Sequence, residues 1–288
     1  MTLTETTTRT SPLAASGGQK KKLALLGCGK LGTILLQAFL ERGLVAKEEV
    51  VATIQHADKC KPLSQSLGGV TCSVDNPAAV AEASTVLICV KPQAMPQLLK
   101  EIASALKPGT LVISAVTGVT LSFIQQQLGK EVAVIRAMPN TPAMVGAAMT
   151  ALAAGSGAGQ EQLETAKRLF ESVGRVAVVD EKHMDAITAL SASGPAFVFV
   201  ILESLAEAGV KVGLPRELAT TLAAQTLFGA AKLALQTGHH PALLKDAVTT
   251  PAGCTIEGLI ELEKGGLRVT LINAVITTTK RAGELMTG

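Results

Sequence analysis

A chain of 288 residues that is 48% hydrophobic, with no Trp, no Tyr and only six Phe, has the length for two domains and must build their cores from Ala, Val, Leu and Ile. Its net charge of +3 is spread along the chain apart from Lys20, Lys21 and Lys22, which argues against nucleic-acid binding. Five cysteines, with no CxxC pair and no metal-ligand spacing to the four His, argue against a metal centre and imply reduced thiols.

Residues 1 to 19 are rich in Thr, Ser and Gly and hold no apolar run of the length a secretory signal needs. They are expected to be a disordered tail, with a transit peptide as the alternative. Leu23 to Leu26 is a short apolar run, and Leu31 to Arg42 repeats apolar residues at helical spacing, so strand, glycine turn and helix are predicted. Further strands are predicted at Val50 to Ile54, Val70 to Cys72, Thr85 to Val90, Leu111 to Ala115 and Val132 to Ala137. Alternation with helical stretches predicts a parallel, doubly wound sheet. Cys72 and Cys89 fall on these strands and read as small buried apolar residues.

Met144 to Leu152 and Arg175 to Val179 are expected to be two edge strands closing the first domain. From about Asp180 helical periodicity dominates, punctuated at Gly194-Pro195, Gly213, Pro215, Gly238 to Pro241, Pro251 to Gly253 and Gly265-Gly266. The expected architecture is α/β, with a Rossmann-type dinucleotide-binding domain over residues 20 to 180 and an all-helical domain over residues 181 to 288. The longest uncharged runs, Gly109 to Gly129 and Ala137 to Gln160, are broken by Gly, Pro, Gln and Asn, so no membrane span is expected and a cytoplasmic location follows.

Gly27-Cys28-Gly29-Lys30-Leu31-Gly32 is G-x-G-x-x-G between the first strand and the first helix. The first Gly permits the tight turn, the second lets backbone approach a pyrophosphate, and the third lets helix and strand pack closely. Free amides at the helix start then hold the phosphates. At the end of the second strand, Thr53-Ile54-Gln55-His56, no acid is present for a ribose 2′-hydroxyl. His56, Lys59 and Lys61 could accept a 2′-phosphate, which favours NADPH, while Asp58 keeps NADH open. His56 reads equally well as an ordinary exposed loop residue.

Ligands of open α/β sheets sit beyond the carboxyl ends of the strands, which singles out Val90-Lys91-Pro92 and Met138-Pro139-Asn140-Thr141-Pro142. Lys91 could bind a carboxylate or act as an acid, or simply snorkel. In the helical region, Ser191 to Ala196 and Thr249 to Ile256 are hydroxyl-rich turns at helix starts, suited to an anionic carboxylate or to plain capping. His183 reads as a helix packing residue, and His239 and His240 as an exposed loop. No strong proton-transfer residue stands out, which suits an imine, electrophilic once protonated, better than a ketone.

Taken together, these segments resemble pyrroline-5-carboxylate reductases from about Lys22 to the C terminus, most specifically at Leu190 to Pro195, Leu244-Lys245-Asp246 and Thr249 to Ile256. The resemblance implies NAD(P)H-dependent reduction of 1-pyrroline-5-carboxylate to L-proline, and a helical domain that interlocks with a second subunit in a homodimer or a ring of dimers. It further implies that Gly27, Cys28, Gly29, Lys30 and Leu31 bind the cofactor phosphates and that Asn76 reaches the adenosine ribose. Val90, Lys91 and Pro92 would lie along the cofactor, and Met138, Pro139 and Asn140 would flank nicotinamide and substrate. Thr250, Gly253, Cys254 and Thr255 would hold the substrate carboxylate, with Thr255 relaying a proton to the ring nitrogen.

Thr250 stands where the family often has Ser, Cys254 where Ala is common, and Ala192 replaces a Gly; none removes a group the chemistry needs. Two alternatives stand beside this reading. A β-hydroxyacid-type dehydrogenase would need a catalytic Lys from Lys182, Lys211 or Lys232, and a dinucleotide-sensing protein would need no Thr250 to Thr255 loop.

Overall fold

The computed structural model describes residues 23–129 and 132–285, so the N-terminal tail and the Lys20 to Lys22 triplet lie outside the described residues. Eight strands follow in chain order: β1 (Leu23–Leu26), β2 (Val50–Thr53), β3 (Thr71–Ser73), β4 (Thr85–Ile88), β5 (Leu111–Ser114), β6 (Ala133–Met138), β7 (Ala148–Ala154) and β8 (Gly174–Val178). They form one sheet of order β3-β2-β1-β4-β5-β6-β7-β8, parallel except between β6 and β7. The central strands β1, β4 and β5 are buried at every position. Near-continuous apolar runs are what a parallel strand covered on both faces requires.

Helices α1 (Lys30–Glu41), α2 (Cys60–Ser66), α3 (Asn76–Ala81), α4 (Met95–Ile102), α5 (Leu121–Leu128) and α6 (Gln160–Glu171) make the connections. Alternate residues of β1 divide between two core layers: Leu23 and Leu25 join Leu35, Phe39 and Phe170, whereas Ala24 and Leu26 join Leu99, Ile102 and Met184. Phe39 and Phe170 meet edge to face at 6.2 Å between ring centroids, so α1 and α6 cover the same side.

Beyond β8 lie α7 (Met184–Ile187), a π-helical turn at Thr188–Ala192, then α8 (Gly194–Lys211), α9 (Arg216–Thr237), α10 (Pro241–Ala247), α11 (Cys254–Lys264) and α12 (Leu267–Glu284). Two compact units result, one comprising the chain to Ala192 together with the segment from Thr279, the other Ser193–Thr278. The division falls later than the change of periodicity at Asp180, because α7 packs with the sheet: Met184 is fully buried in its core.

Three readings of the sequence need correction. Met144 and Val145 are not strand; they lie in a 3-10 turn, Thr141–Val145, opened by Pro142 and closed by Gly146 at φ 71°. The strand starts at Ala148, and because β6 and β7 join without a crossover helix they pair antiparallel, leaving only β8 at that edge. His183 is exposed, not a packing residue, since its neighbour Met184 takes the inward position. Cys72 is half-buried and bonded to Cys60, with Cα atoms 5.3 Å apart, so the thiols are not all free. Two helical stretches, Glu181–Lys211 and Arg216–Thr237, with mean hydropathies of 1.7 and 1.3, are long and apolar enough to cross a membrane by length and composition, which the longest uncharged runs did not reveal.

In the helical unit, α8 and α9 expose Phe199, Val200, Leu222 and Phe228, and α12 exposes Ile272 and Ile276. Apolar surface on this scale marks an interaction face.

Candidate active site

Every parallel strand of the sheet ends on the same edge, so the turns after β1, β2, β4 and β6 gather there. Order reverses at β1, flanked by β2 and β4, and the glycine turn emerges at that switch point.

Gly27 has φ 82°, and a Cβ placed on it would lie 2.5 Å from Val90 Cγ1 and 2.9 Å from Val90 N. The first glycine is thus required both by its left-handed backbone and by the close approach of the post-β4 turn. Gly32 is tight as well, its would-be Cβ 2.9 Å from Leu25 Cδ2, which fixes the distance between α1 and β1. Gly29 differs: its φ is −82°, it caps α1 without a side-chain hydrogen bond, and nothing lies within 4 Å of where a Cβ would project. Open space at the start of a helix with free amides and no acidic residue in its first turn suits an anion. Lys30 is exposed beside it, Leu31 is half-buried against the core, and Cys28 is buried, its thiol pushed up by burial and partly offset by its contact with the Thr33 hydroxyl. Cys89, at the end of β4, is pushed up further, by burial first and by Cys28 second.

Thr53, which the sequence placed only as a strand end, links this turn to Asn76. Its hydroxyl accepts from Gly27 N at 3.4 Å and donates to Asn76 Oδ1 at 2.7 Å. Asn76 Nδ2 in turn donates to Glu101 at 3.3 Å. Asn76 heads α3, whose cap is Asp75 accepting from Ala78 N at 2.9 Å. A buried hydroxyl at the carboxyl end of an otherwise apolar strand was the signal available for Thr53. His56 starts the next turn and is exposed, as are Lys59 and Lys61. Lys91 is exposed at the start of a 3-10 turn whose first residue is Pro92.

After β6 the three residues separate in role. Met138 and Pro139 are buried, Met138 in the core layer with Met184. Asn140 is half-buried and committed: Nδ2 donates to Ser191 O at 3.1 Å, and Oδ1 accepts from Met149 N at 3.0 Å. It therefore ties β6, β7 and the π-helical turn together. Arg136, missed in the sequence, lies buried on β6 with Nη1 3.2 Å from Glu181 Oε1 and Nη2 3.4 Å from Asp185 Oδ1. Glu181 Oε1 also accepts from Leu121 N at 2.6 Å, so one buried cation holds the start of α5 and the approach to α7. A lone Arg in an apolar strand would have been the clue.

In the helical unit, the turn between α10 and α11 carries Thr250, Gly253, Cys254 and Thr255. Ala252 adopts φ 55°, a conformation uncommon for a residue with a Cβ. The Thr250 hydroxyl packs against Gly253, leaving no space for a side chain there. Gly253 caps α11 with no side-chain hydrogen bond, so the amides of Cys254, Thr255 and Ile256 are free of a capping side chain. Cys254 and Thr250 are exposed and Thr255 half-buried. Lys182 pairs with Asp180 at 3.0 Å, and Lys232 lies over the Phe228 ring at 5.7 Å, so neither stands free as a catalytic amine.

Residues 181–285 match the family model described as pyrroline-5-carboxylate reductase dimerisation, and residues 22–118 match one described as NADP oxidoreductase, coenzyme F420-dependent. The chain is 41% identical over 267 residues to the pyrroline-5-carboxylate reductase of Methanosarcina acetivorans, covering 93% of this chain and 98% of that protein. Among solved structures, a pyrroline-5-carboxylate reductase from Coxiella burnetii is similar at TM-score 0.83 and 34% identity, covering 93% of this chain and 99% of that one. A pyrroline carboxylate reductase from Plasmodium falciparum with NADP bound is similar at TM-score 0.85 and 27% identity, covering 93% and 100%.

Proposed function

Since this chain belongs to the pyrroline-5-carboxylate reductase family, we propose that it reduces 1-pyrroline-5-carboxylate to L-proline, the last step of proline biosynthesis, with NADPH as the preferred reductant. The carrying observation is that one chain of this family carries both a glycine turn open at Gly29 and a start of α11, at Cys254–Ile256, with no side-chain cap. Bound NADPH supplies a hydride to the imine carbon. The protein's own part is to bind, orient and protonate.

Amides of Gly29, Lys30 and Leu31 face the pyrophosphate. Thr53 and Asn76 receive the adenosine ribose, and the absence of an acid after β2, with His56, Lys59 and Lys61 exposed there, favours a 2′-phosphate. Val90, Lys91 and Pro92 line the cofactor beyond the switch point. Thr250, Gly253, Cys254 and Thr255 hold the substrate carboxylate, the helix start complementing its charge. The Thr255 hydroxyl stands at the ring nitrogen and keeps it protonated, which makes the carbon electrophilic. Met138 and Pro139 shape the floor, and Asn140 positions the π-helical turn.

The match to the dimerisation family and the exposed apolar faces of α8, α9 and α12 belong to a homo-oligomer; a homodimer or a ring of dimers covers them in this reading. A cytoplasmic setting belongs to the same proposal.

The test is NADPH consumption with 1-pyrroline-5-carboxylate by wild type and Thr255→Ala, with NADH alongside. Imine-dependent oxidation that falls in the variant supports the assignment. A folded wild type that binds NADPH but consumes none with this imine overturns the substrate.

A further inference from the structure

Cys60 is the first residue of α2 and Cys72 the middle residue of the three-residue edge strand β3; the structure bonds them across twelve positions. Each sits beside a segment that frames the adenosine side of the site. Cys60 directly follows the turn carrying His56 and Lys59 and precedes Lys61. Cys72 precedes Ser73, whose carbonyl accepts from Ile54 N at 3.1 Å and whose hydroxyl accepts from Asp75 N at 3.0 Å. Asp75 caps α3, and Asn76 follows it. One covalent link therefore joins the segment that follows the turn after β2 to the strand that leads into α3, the two segments that begin just beyond Thr53 and end just before Asn76.

Both residues are half-buried and neighbour exposed ones, Lys59 and Lys61 on one side and Thr71 on the other, so the bond lies at the periphery of the fold, not in its core. The other cysteines differ. Desolvation pushes the Cys28 and Cys89 thiols up, and Cys254 is exposed without a partner cysteine.

The geometry points to Cys60 and Cys72 as a reversible thiol–disulfide exchange site whose oxidised form tightens the grip on the nicotinamide cofactor at its adenosine end. The inference rests on the nucleotide-site reading above. In reduction, a thiolate of an external dithiol attacks one sulfur, the Cys60–Cys72 bond breaks, and a mixed disulfide forms. The dithiol's second thiolate then displaces the protein thiol, leaving the reductant as its disulfide and Cys60 and Cys72 with two added electrons and two protons. In oxidation, a hydroperoxide converts one thiolate to a sulfenic acid; the second thiol attacks it, and with hydrogen peroxide two waters leave per disulfide formed. Once reduced, the start of α2 is held to the edge strand only by packing and by the connecting turn after Ser66, and the turn bearing His56 and Lys59 loses preorganisation.

The experiment compares wild type treated with hydrogen peroxide and wild type reduced with dithiothreitol, each desalted, alongside Cys60→Ser and Cys72→Ser. Thiols titrated after denaturation number three when oxidised, matching Cys28, Cys89 and Cys254, and five when reduced. Direct NADPH binding, measured without imine, weakens on reduction by about three- to tenfold, the scale of a lost preorganised loop. The KM for NADPH rises in parallel while kcat changes little, and peroxide restores both. Each serine variant stays at the reduced value and ignores peroxide. Equal NADPH affinity in the two forms, or five thiols after peroxide, overturns the exchange site alone. Failure of either form to bind NADPH overturns the nucleotide-site reading and this proposal with it.

Discussion

The hydroxyl of Thr53 donates to Asn76 Oδ1 at 2.7 Å, which joins the carboxyl end of β2 to the head of α3 directly beside the glycine turn. Thr53→Val keeps the shape and removes both the donor and the acceptor used by Gly27 N. Loss of such a partly buried pair costs about 1 kcal/mol or somewhat more in stability. NADPH affinity falls roughly fivefold, the equivalent of about 1 kcal/mol, and Thr53→Ser recovers most of it. Fluorescence titration with NADPH checks this; an unchanged dissociation constant would show Asn76 is not held for the ribose.

Gly27 and Gly29 make a discriminating pair. Gly27→Ala forces a Cβ against Val90 at a left-handed φ, so both turn and stability suffer. At Gly29 a Cβ meets nothing within 4 Å and φ is ordinary, so Gly29→Ala loses only the N-cap preference of Gly over Ala, about 0.5 to 1 kcal/mol, and melts slightly below wild type. Its NADPH affinity nevertheless falls about tenfold or more, because the added methyl occupies the approach of the pyrophosphate. Wild-type affinity in Gly29→Ala would move the phosphates elsewhere.

Arg136→Leu deletes a cation whose side chain is 3% exposed, while its partners Glu181 and Asp185 are 29% and 40% exposed. The orphaned carboxylates reach water, so the loss sits at or below the lower end of the buried-pair range, about 2 to 3 kcal/mol. Arg136→Lys, unable to reach two carboxylates at once, recovers only part. Urea unfolding measures both, and a variant as stable as wild type would make the pair decorative.

Ala252 at φ 55° stores strain that glycine would not. Left-handed backbone costs an L-residue about 1 to 2 kcal/mol, and the extra freedom of glycine in the unfolded chain returns about 0.4 to 1 kcal/mol of that gain. Ala252→Gly is therefore slightly stabilising in thermal melts, whereas Ala252→Val, β-branched, is clearly destabilising. A drop in melting temperature for the glycine variant would mean the loop relaxes out of this conformation in solution.

What could be read from the chain and what could not divide along a physical line. β1, its glycine turn and the stops at Gly213, Gly238 and Gly265-Gly266 are local: short apolar runs and backbone-permissive residues announce them. Pro142 and Gly146 were equally local but were outweighed by the apolar residues beside them, so a 3-10 turn read as strand. The Cys60–Cys72 bond, the Arg136 cluster and the Thr53–Asn76 link join residues 12, 45 or 49, and 23 positions apart. Nothing periodic marks such partners, because only the folded sheet brings them together. The exposed apolar faces of α8 and α9 escaped for another reason: an alanine-rich helix apolar on most sides has little amphipathic contrast to report which side is covered.

The segment from Thr279 belongs with the sheet, although the residues just before it belong to the helical unit. Within that first unit Ala282 is buried, and Gly118 lies so close to Ala282 O and Leu285 that a Cβ would sit 3.2 Å and 3.0 Å from them. A ribosome delivers the chain from its N terminus at about 5 to 20 residues per second, so the part of the sheet unit up to Ala192 is made before the helical unit, and the segment from Thr279 that packs with it follows only after both. During synthesis the Gly118 turn therefore waits through the whole helical unit before Ala282 and Leu285 arrive to close against it.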